Sequence, residues 1–169
     1  MKILPFFYFK IMASNLKNLS EYSDRNTGGV EQKQFGIVVA EWNETITGAL
    51  LEGAIETLLE QGVERDNIKV HYVPGSFELS LGAQFLAQKA TIDAVITLGC
   101  VIQGETRHFD FICAAVANGV TNVGLKYDKP VIFGVLTTDT MQQALDRAGG
   151  KHGNKGEEAA ITAVKMIQF

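Results

Sequence analysis

From Gln34 onward, apolar residues alternate between short continuous runs and longer stripes with helical spacing. The first run, Phe35–Ala40 (FGIVVA), predicts a strand that is buried on both faces. The next apolar positions recur every four residues, at Ile46, Leu50, Ala54 and Leu58. This spacing predicts a helix with a wide apolar face, which Asn43 is placed to start and Gly62 to end.

The same alternation continues to the C-terminus, where further strands are predicted at residues 68–73, 94–98 and 131–136. Ser76 can cap a second helix. The apolar positions of this second helix are Leu79, Ala83, Leu86, Ala87 and Ala90. A third helix carries apolar or small residues at Ile112, Ala115, Val116, Gly119, Val120 and Val123. A short helix near residues 140–148 and a last helix from about Lys155 complete the pattern.

Strands that are joined through helices form a parallel sheet with right-handed crossovers and helices on both faces. The sequence therefore predicts an α/β fold with three layers, α/β/α, around a central four-stranded parallel sheet. Ligands of such sheets bind outside the carboxyl ends of the strands. The residues that follow each predicted strand are consequently the first place to look for chemistry.

The composition is that of an ordinary globular chain, with 169 residues, 46% of them apolar and 20% charged. Fifteen basic residues against 19 acidic ones give a net charge of −4, which argues against a nucleic acid or an anionic membrane as partner. The two cysteines, Cys100 and Cys113, are too few for a disulfide scaffold, and neither lies in a metal-ligand spacing.

The N-terminal residues are predicted to form an arm over residues 1–33, followed by the domain at 34–169. The apolar run at residues 1–12 is much shorter than the roughly 20 residues of a membrane span. As a signal peptide it would be interrupted by Lys10, and no small-residue cleavage site follows. We therefore expect translation to begin at Met12, with residues 1–11 absent in vivo.

Polar and aromatic side chains follow the first two predicted strands. Trp42, the single tryptophan, offers a stacking face for a planar heterocycle, although most tryptophans are core or interface residues. After the second strand, Ser76 and Glu78 can offer donors and acceptors to a polyhydroxylated ligand, in addition to forming a turn and a cap.

The segment after the third strand carries the densest set of candidates. Gly104 lets the backbone approach a ligand closely, and the N–H groups of Glu105 and Thr106 are expected to open the following helix as an anion site. His108 lies two residues further on. A lone histidine is most often structural, but beside an anion site it is a candidate for proton transfer.

The last candidate segment is the glycine-rich link at residues 147–156. Arg147 could bind a phosphate through two parallel hydrogen bonds, although the link lacks the Gly-Lys-Ser/Thr step of a Walker loop. Asn154 and Glu157 have the spacing of a capping box for the last helix, and Thr140 is placed to cap the short one. The residues thus indicate a small phosphorylated substrate, an aromatic platform and a histidine, without naming the reaction.

Five segments together resemble the 6,7-dimethyl-8-ribityllumazine synthase family, in its order and spacing. They read GIVVAEWN, VPGSFELS, ITLGCVIQGETRHFDFI, PVIFGVLTTD and AGGKHGNKG, and the resemblance runs from about Phe35 to the C-terminus. It implies a flavodoxin-like fold and a transferase of riboflavin biosynthesis. That enzyme condenses 5-amino-6-(D-ribitylamino)uracil with 3,4-dihydroxy-2-butanone 4-phosphate, releases phosphate and water, and uses no metal or organic cofactor. It is expected in the cytoplasm.

The resemblance also implies roles for individual residues. His108 would transfer protons, and Gly104, Glu105, Thr106 and Arg147 would bind the phosphate. The pyrimidine and its ribityl chain would contact Trp42, Asn43, Ser76, Phe77, Glu78, Cys100, Val101, Ile102, Phe133 and Lys155. Of these residues, Phe133, Arg147 and Lys155 would come from the neighbouring subunit. Gln103 departs from the family pattern, since many members carry Arg there.

Family members are pentamers, and the short link at residues 149–156 resembles that of members that build a 60-subunit icosahedral shell. The resemblance therefore implies a homo-pentamer, a shell, and an association with riboflavin synthase. Three rival functions stay open: a flavodoxin-like FMN-binding module, a non-catalytic shell protein, and a riboflavin synthase on the same fold. The segment AEWNETIT argues against the first, because it lacks the Ser-, Thr- and Gly-rich phosphate loop that FMN needs after the first strand.

Overall fold

A computed structural model describes residues 28–169, and the predicted start at Met12 and most of the predicted arm lie outside them. Four strands form a parallel sheet in the order β2-β1-β3-β4. They are β1 (Phe35–Ala40), β2 (Ile68–Val73), β3 (Ala94–Ile102) and β4 (Val131–Thr138). This order confirms the predicted α/β fold and is that of flavodoxin-like sheets.

Helices cover both faces of the sheet, as predicted. They are α1 (Glu44–Glu60), α2 (Leu79–Ala87), α3 (His108–Tyr127), α4 (Met141–Leu145) and α5 (Lys155–Ile167). One apolar core lies between the sheet and helices α1 and α5, and a second lies between the sheet and helices α2 and α3. Every residue of β1 is buried, because this strand alternates its side chains between the two cores.

Strands β3 and β4 are longer than predicted. The sequence assigned residues 94–98 and 131–136, but pairing continues as far as Ile102 opposite Thr138. Cys100, Val101 and Ile102 therefore belong to the strand itself and do not follow it. Gly99 does not end the strand, because it pairs with Val135 of β4. Glycine fits here since a Cβ atom would clash with Ser76 and Leu79.

The predicted helix ends are correct in part. Gly62 ends α1 in the left-handed conformation, with φ of 92°, and the next N–H, that of Val63, donates to the carbonyl of Leu58. The prediction that Ser76 caps α2 is wrong, because a single 3-10 turn, Ser76–Glu78, comes before the helix. The helix also stops at Ala87, so Ala90 lies beyond it.

The glycine-rich link folds into a small antiparallel hairpin of β5 (Ala148–Gly150) and β6 (Gly153–Asn154). For this reason α4 is shorter than the predicted helix at residues 140–148. Thr140 caps α4, as predicted, by accepting a hydrogen bond of 3.2 Å from the N–H of Gln143. Asn154 caps α5, as predicted. Its side chain accepts from the N–H of Gly156 at 2.8 Å, and not from that of Glu157, which the predicted capping box would use.

Candidate active site

A cavity of about 700 Å³ opens at the carboxyl ends of β1 and β3, and we call it the tryptophan groove. Its lining is Trp42, Asn43, Pro74, Gly75, Ser76, Phe77, Glu78, Cys100, Val101, Ile102, His108 and Ile112. The residues predicted to bind the pyrimidine and ribityl groups thus meet in one groove, except for Phe133 and Lys155. The parallel topology explains the meeting, because every strand ends at the same edge of the sheet.

Trp42 lies at the rim of this groove with 72% of its surface exposed. Trp42 is therefore not part of the core, and the face of its indole ring is available for stacking on a flat ring. Its backbone is held by the neighbouring strand, since the N–H of Trp42 donates to the carbonyl of Pro74 at 3.2 Å. The N–H of Glu41 likewise donates to the carbonyl of Val73 at 2.8 Å.

Asn43 comes directly before α1, as predicted, but its side chain does not cap the helix. Its backbone has the left-handed conformation, with φ of 63°, and its amide donates to the carbonyl of Cys100 at 2.9 Å. This hydrogen bond joins the ends of β1 and β3 across the floor of the groove. The amide oxygen of Asn43 remains as an acceptor toward a ligand.

Ser76 contributes a buried hydroxyl that has no hydrogen-bond partner in residues 28–169. Buried polar groups are normally satisfied, so an orphan hydroxyl that lines a cavity is available to a polar ligand. Glu78 adds an exposed carboxylate two residues later. The pair supplies the donor and acceptor groups that a chain of hydroxyls would require.

The floor of the groove is apolar. Cys100 is 2% exposed, and burial raises the pKa of its thiol to about 11. The thiol is consequently protonated at neutral pH and behaves as a small apolar side chain, not as a nucleophile. Val101 and Ile102 are half-buried beside it.

Residues 103–107 form an exposed turn between β3 and α3, and here the prediction was wrong in one respect. Helix α3 begins at His108, so Gly104, Glu105 and Thr106 come before the helix and do not open it. The turn reaches β4 through the N–H of Gln103, which donates to the carbonyl of Thr138 at 2.8 Å. The structure therefore places the predicted phosphate residues next to His108, which is exposed at the groove.

Phe133, Arg147 and Lys155 lie in a different cavity, of about 1190 Å³, which runs along β4 between α3 and α5. We call it the arginine groove. It shares no lining residue with the tryptophan groove. Within this single chain the predicted site is accordingly divided into two separate sets.

Hydrogen bonds hold Arg147 and Lys155, two of the basic residues that line the arginine groove, in place. The guanidinium of Arg147 donates to the carbonyl of Gln143 at 3.0 Å, which leaves its other N–H groups for an anion. The ammonium of Lys155 forms a salt bridge with Glu158. Sequence reasoning did not single out Glu158, although its spacing of three residues from Lys155 in a helix was the available signal.

Sequence reasoning also missed three residues of the tryptophan groove: Pro74, Gly75 and Ile112. Ile112 lies one helical turn after His108, and this spacing could have identified it. Residues 28–169 contain no group of three or more His, Cys, Asp or Glu side chains that could hold a metal ion. No helix in this part of the chain has the length and apolar character needed to cross a membrane.

Comparison with known proteins identifies the family of this chain. A family model described as 6,7-dimethyl-8-ribityllumazine synthase matches residues 32–169. The protein of that name from Cytophaga hutchinsonii is 66% identical over 156 residues, which cover 92% of this chain and 98% of the relative. The one from Parabacteroides distasonis is 56% identical over 158 residues, which cover 94% and 99% of the two chains. The chain therefore belongs to the 6,7-dimethyl-8-ribityllumazine synthase family.

Proposed function

We propose that this protein condenses 5-amino-6-(D-ribitylamino)uracil with 3,4-dihydroxy-2-butanone 4-phosphate in a site shared by two neighbouring subunits. The reaction is that of the family to which the chain belongs, and it yields 6,7-dimethyl-8-ribityllumazine, phosphate and water. One observation carries the assignment of the site. An exposed indole, an orphan hydroxyl and a histidine share the tryptophan groove, while Arg147 and Lys155 lie in another groove.

The pyrimidine is proposed to bind in the tryptophan groove, with its ring stacked on Trp42. The main chain of Cys100, Val101 and Ile102 would contact the ring edge. The ribityl chain would extend toward Asn43, Ser76, Phe77 and Glu78. Support comes from the unpartnered hydroxyl of Ser76 and from the free amide oxygen of Asn43, because both can bond to sugar hydroxyls.

The phosphate of the second substrate is proposed to bind at the turn formed by Gly104, Glu105 and Thr106. Arg147 of the neighbouring subunit would contact it from the opposite side. Backbone N–H groups and a guanidinium are the usual ligands of a phosphate in proteins. They would also stabilise the dianion as it leaves.

The chemistry requires an amine to attack a ketone, so the two substrates must be held face to face. Such positioning can supply several kcal/mol of the barrier, about 7–11 in the best cases. His108 lies between the groove and the phosphate turn, where it would move protons as the imine forms and phosphate departs. The groups that do chemistry are few because the reactants are themselves reactive.

A homo-pentamer is proposed because one chain carries two half-sites that do not meet. The outer face of α3 supports this, since no charged residue occurs between Phe111 and Leu125, and both of these side chains are more than 70% exposed. A long helix face without charge is typical of an interface. A second copy of the chain is its proposed occupant.

The proposal extends to a 60-subunit icosahedral shell, because the hairpin of β5 and β6 keeps the link between α4 and α5 short. It also includes a cytoplasmic location and an association with riboflavin synthase, which would take over the product. Light scattering on the pure protein tests the assembly. A mass of about five chains would reject the shell, and a fully active monomer would reject the shared site.

Incubation of both substrates with the purified protein tests the activity, with the lumazine absorbance as the measurement. Product formation is expected without added metal or cofactor. A non-catalytic shell protein would form no product, and an FMN-binding module would show a flavin spectrum instead.

Co-expression of two variants, each of low activity when expressed alone, tests whether the site is shared. His108→Ala damages the tryptophan groove, and Arg147→Ala damages the arginine groove. Random assembly leaves about a quarter of the sites with both halves intact, so about a quarter of the activity is expected to return. Co-expression of His108→Ala with Trp42→Ala is the matched control, because both changes damage the same groove and no activity should return.

A further inference from the structure

Gln103 is the last residue before the proposed phosphate turn, and its side chain bonds to the backbone of that turn. We propose that Gln103 is a positioning residue, which turns the N–H groups of Glu105 and Arg107 toward the phosphate of the substrate. The inference rests on the proposed function. It adds Gln103 as a residue that positions the turn, and the N–H of Arg107 as a further donor to the phosphate.

Three hydrogen bonds place Gln103. Its N–H donates to the carbonyl of Thr138 at 2.8 Å, which fixes its backbone to the end of β4. Its side-chain amide donates to the carbonyl of Gly104 at 2.8 Å and to that of Thr106 at 3.4 Å. One side chain thus gathers two carbonyl oxygens of the turn on one side.

Peptide geometry converts this arrangement into an anion site. In a trans peptide the C=O and the N–H of one unit point in opposite directions. The carbonyl of Gly104 shares its unit with the N–H of Glu105, and the carbonyl of Thr106 shares its unit with the N–H of Arg107. Both N–H groups therefore point away from the Gln103 amide, and neither has an acceptor within residues 28–169.

The N–H of His108 and the guanidinium of Arg107, which lie beside the turn, are already bound to other groups. The N–H of His108, which begins α3, donates to the hydroxyl of Thr106 at 3.4 Å and is thereby engaged. The guanidinium of Arg107 forms a salt bridge of 3.3 Å with Asp110, and Gln103 carries no charge. In this half of the site, the donors that meet the phosphate are accordingly uncharged, and the oriented backbone N–H groups are foremost among them.

Steady-state kinetics of Gln103→Leu tests the inference. Leucine has similar size but no donor, so the two carbonyls lose the group that holds them. The KM for 3,4-dihydroxy-2-butanone 4-phosphate is expected to rise about 5- to 10-fold, and the inhibition constant of inorganic phosphate should rise equally. The KM for the pyrimidine should stay within about twofold, a split that a general loss of structure would not produce.

Gln103→Arg is the rescue variant, because its guanidinium offers donors to the same carbonyls. Its KM for the phosphate substrate should be equal to or below that of the unchanged protein. Gln32→Leu is the matched control, since Gln32 is an exposed glutamine that donates to Glu64, and its kinetics should not change.

Two results would overturn the role of Gln103 while the unchanged protein is active. One is an unchanged KM for the phosphate substrate in Gln103→Leu, and the other is an equal rise of both KM values. An inactive unchanged protein would instead reject the proposed function.

Discussion

The amide nitrogen of Asn43 lies 2.9 Å from the carbonyl oxygen of Cys100, to which it donates a hydrogen bond. This bond joins the carboxyl ends of β1 and β3, which are neighbours in the sheet. Asn43 also has φ of 63°, a conformation that few residues other than glycine adopt readily. The position thus requires both an amide and tolerance of the left-handed region, and asparagine supplies both.

Replacement of Asn43 should separate these two requirements. Asn43→Ala loses the hydrogen bond, worth about 0.5–1.5 kcal/mol, and adds strain of about 1 kcal/mol in the left-handed region. Asn43→Gly loses the bond and makes the unfolded chain more flexible, but it carries no such strain, and at a positive φ the strain of alanine outweighs the flexibility of glycine. Urea denaturation should therefore rank the free energy of unfolding as Asn43 above Gly and Gly above Ala. An alanine variant as stable as the glycine variant would show that backbone strain at this position does not exceed the entropy cost of glycine.

His108→Ala should lower kcat and leave both KM values little changed. General acid–base catalysis typically contributes about 10²–10⁴-fold, and the reactive amine places the expected loss at or below the lower limit. Steady-state kinetics measures it, and the melting temperature should be unchanged because His108 is exposed. The matched control is His71→Ala, an exposed histidine on β2 outside both grooves. An equal kcat in the two variants would remove His108 from the mechanism.

Two glycines in helices should respond to alanine with opposite signs. At Gly156, a Cβ atom would overlap the carbonyl oxygen of Leu50, so that α5 would be pushed away from α1. The expected cost is about 1–3 kcal/mol. At Gly48 a Cβ would meet no atom within 4 Å, and Gly48→Ala should stabilise α1 by about 0.5–1 kcal/mol. Thermal unfolding of both variants measures the contrast. A stabilising Gly156→Ala would mean that the two helices are not in such close contact.

Glu157 should make stability depend on pH. Burial raises the pKa of its carboxyl, and Glu60, Glu56 and Glu158 raise it further. A carboxyl whose pKa is higher in the folded state favours folding most below its unfolded pKa, and this contribution is lost as the pH rises through the folded pKa.

Glu157→Gln should therefore raise the melting temperature at pH 7. The effect should disappear below about pH 4, where the carboxyl of Glu157 is mostly protonated and thus neutral, like the amide that replaces it. The gain is expected to be about 0.2–0.5 kcal/mol, the size of a like-charge contact. Glu52→Gln, at an exposed position of α1, is the control. A destabilised Glu157→Gln at pH 7 would contradict the sign.

Much of the fold could be predicted because its signals are local. The buried run at Phe35–Ala40 and the fourfold spacing from Ile46 to Leu58 each reflect one element and the face that it buries. The first two strands have the predicted bounds. The residues at their ends were candidates for the site because parallel strands end at one edge of the sheet.

Other features depend on contacts between distant parts of the chain. Pairing with β4 extends β3 to Ile102. The residues at 99–102 alone do not show this extension, because the strand that they pair with lies elsewhere in the sequence. Asn43 and Ser76 look like helix caps in sequence, yet the amide of one bonds to Cys100 and the hydroxyl of the other lies buried in the groove. A polar side chain takes the partner that the fold brings near, and sequence alone does not show which one that is.

By itself, the sequence determined the order of strands and helices and the parallel sheet, and it supplied the candidate site residues, because hydrophobic periodicity and residue type are properties of short segments. Only the tertiary structure decided the geometry of the site within one chain: Trp42 and His108 line one groove, and Arg147 and Lys155 line another, a division that the family resemblance implied and residue spacing did not. The physical reason is that β4 is an edge strand. The arginine groove lies along this edge strand and shares no lining residue with the tryptophan groove. Spacing along the sequence does not reveal this separation in space.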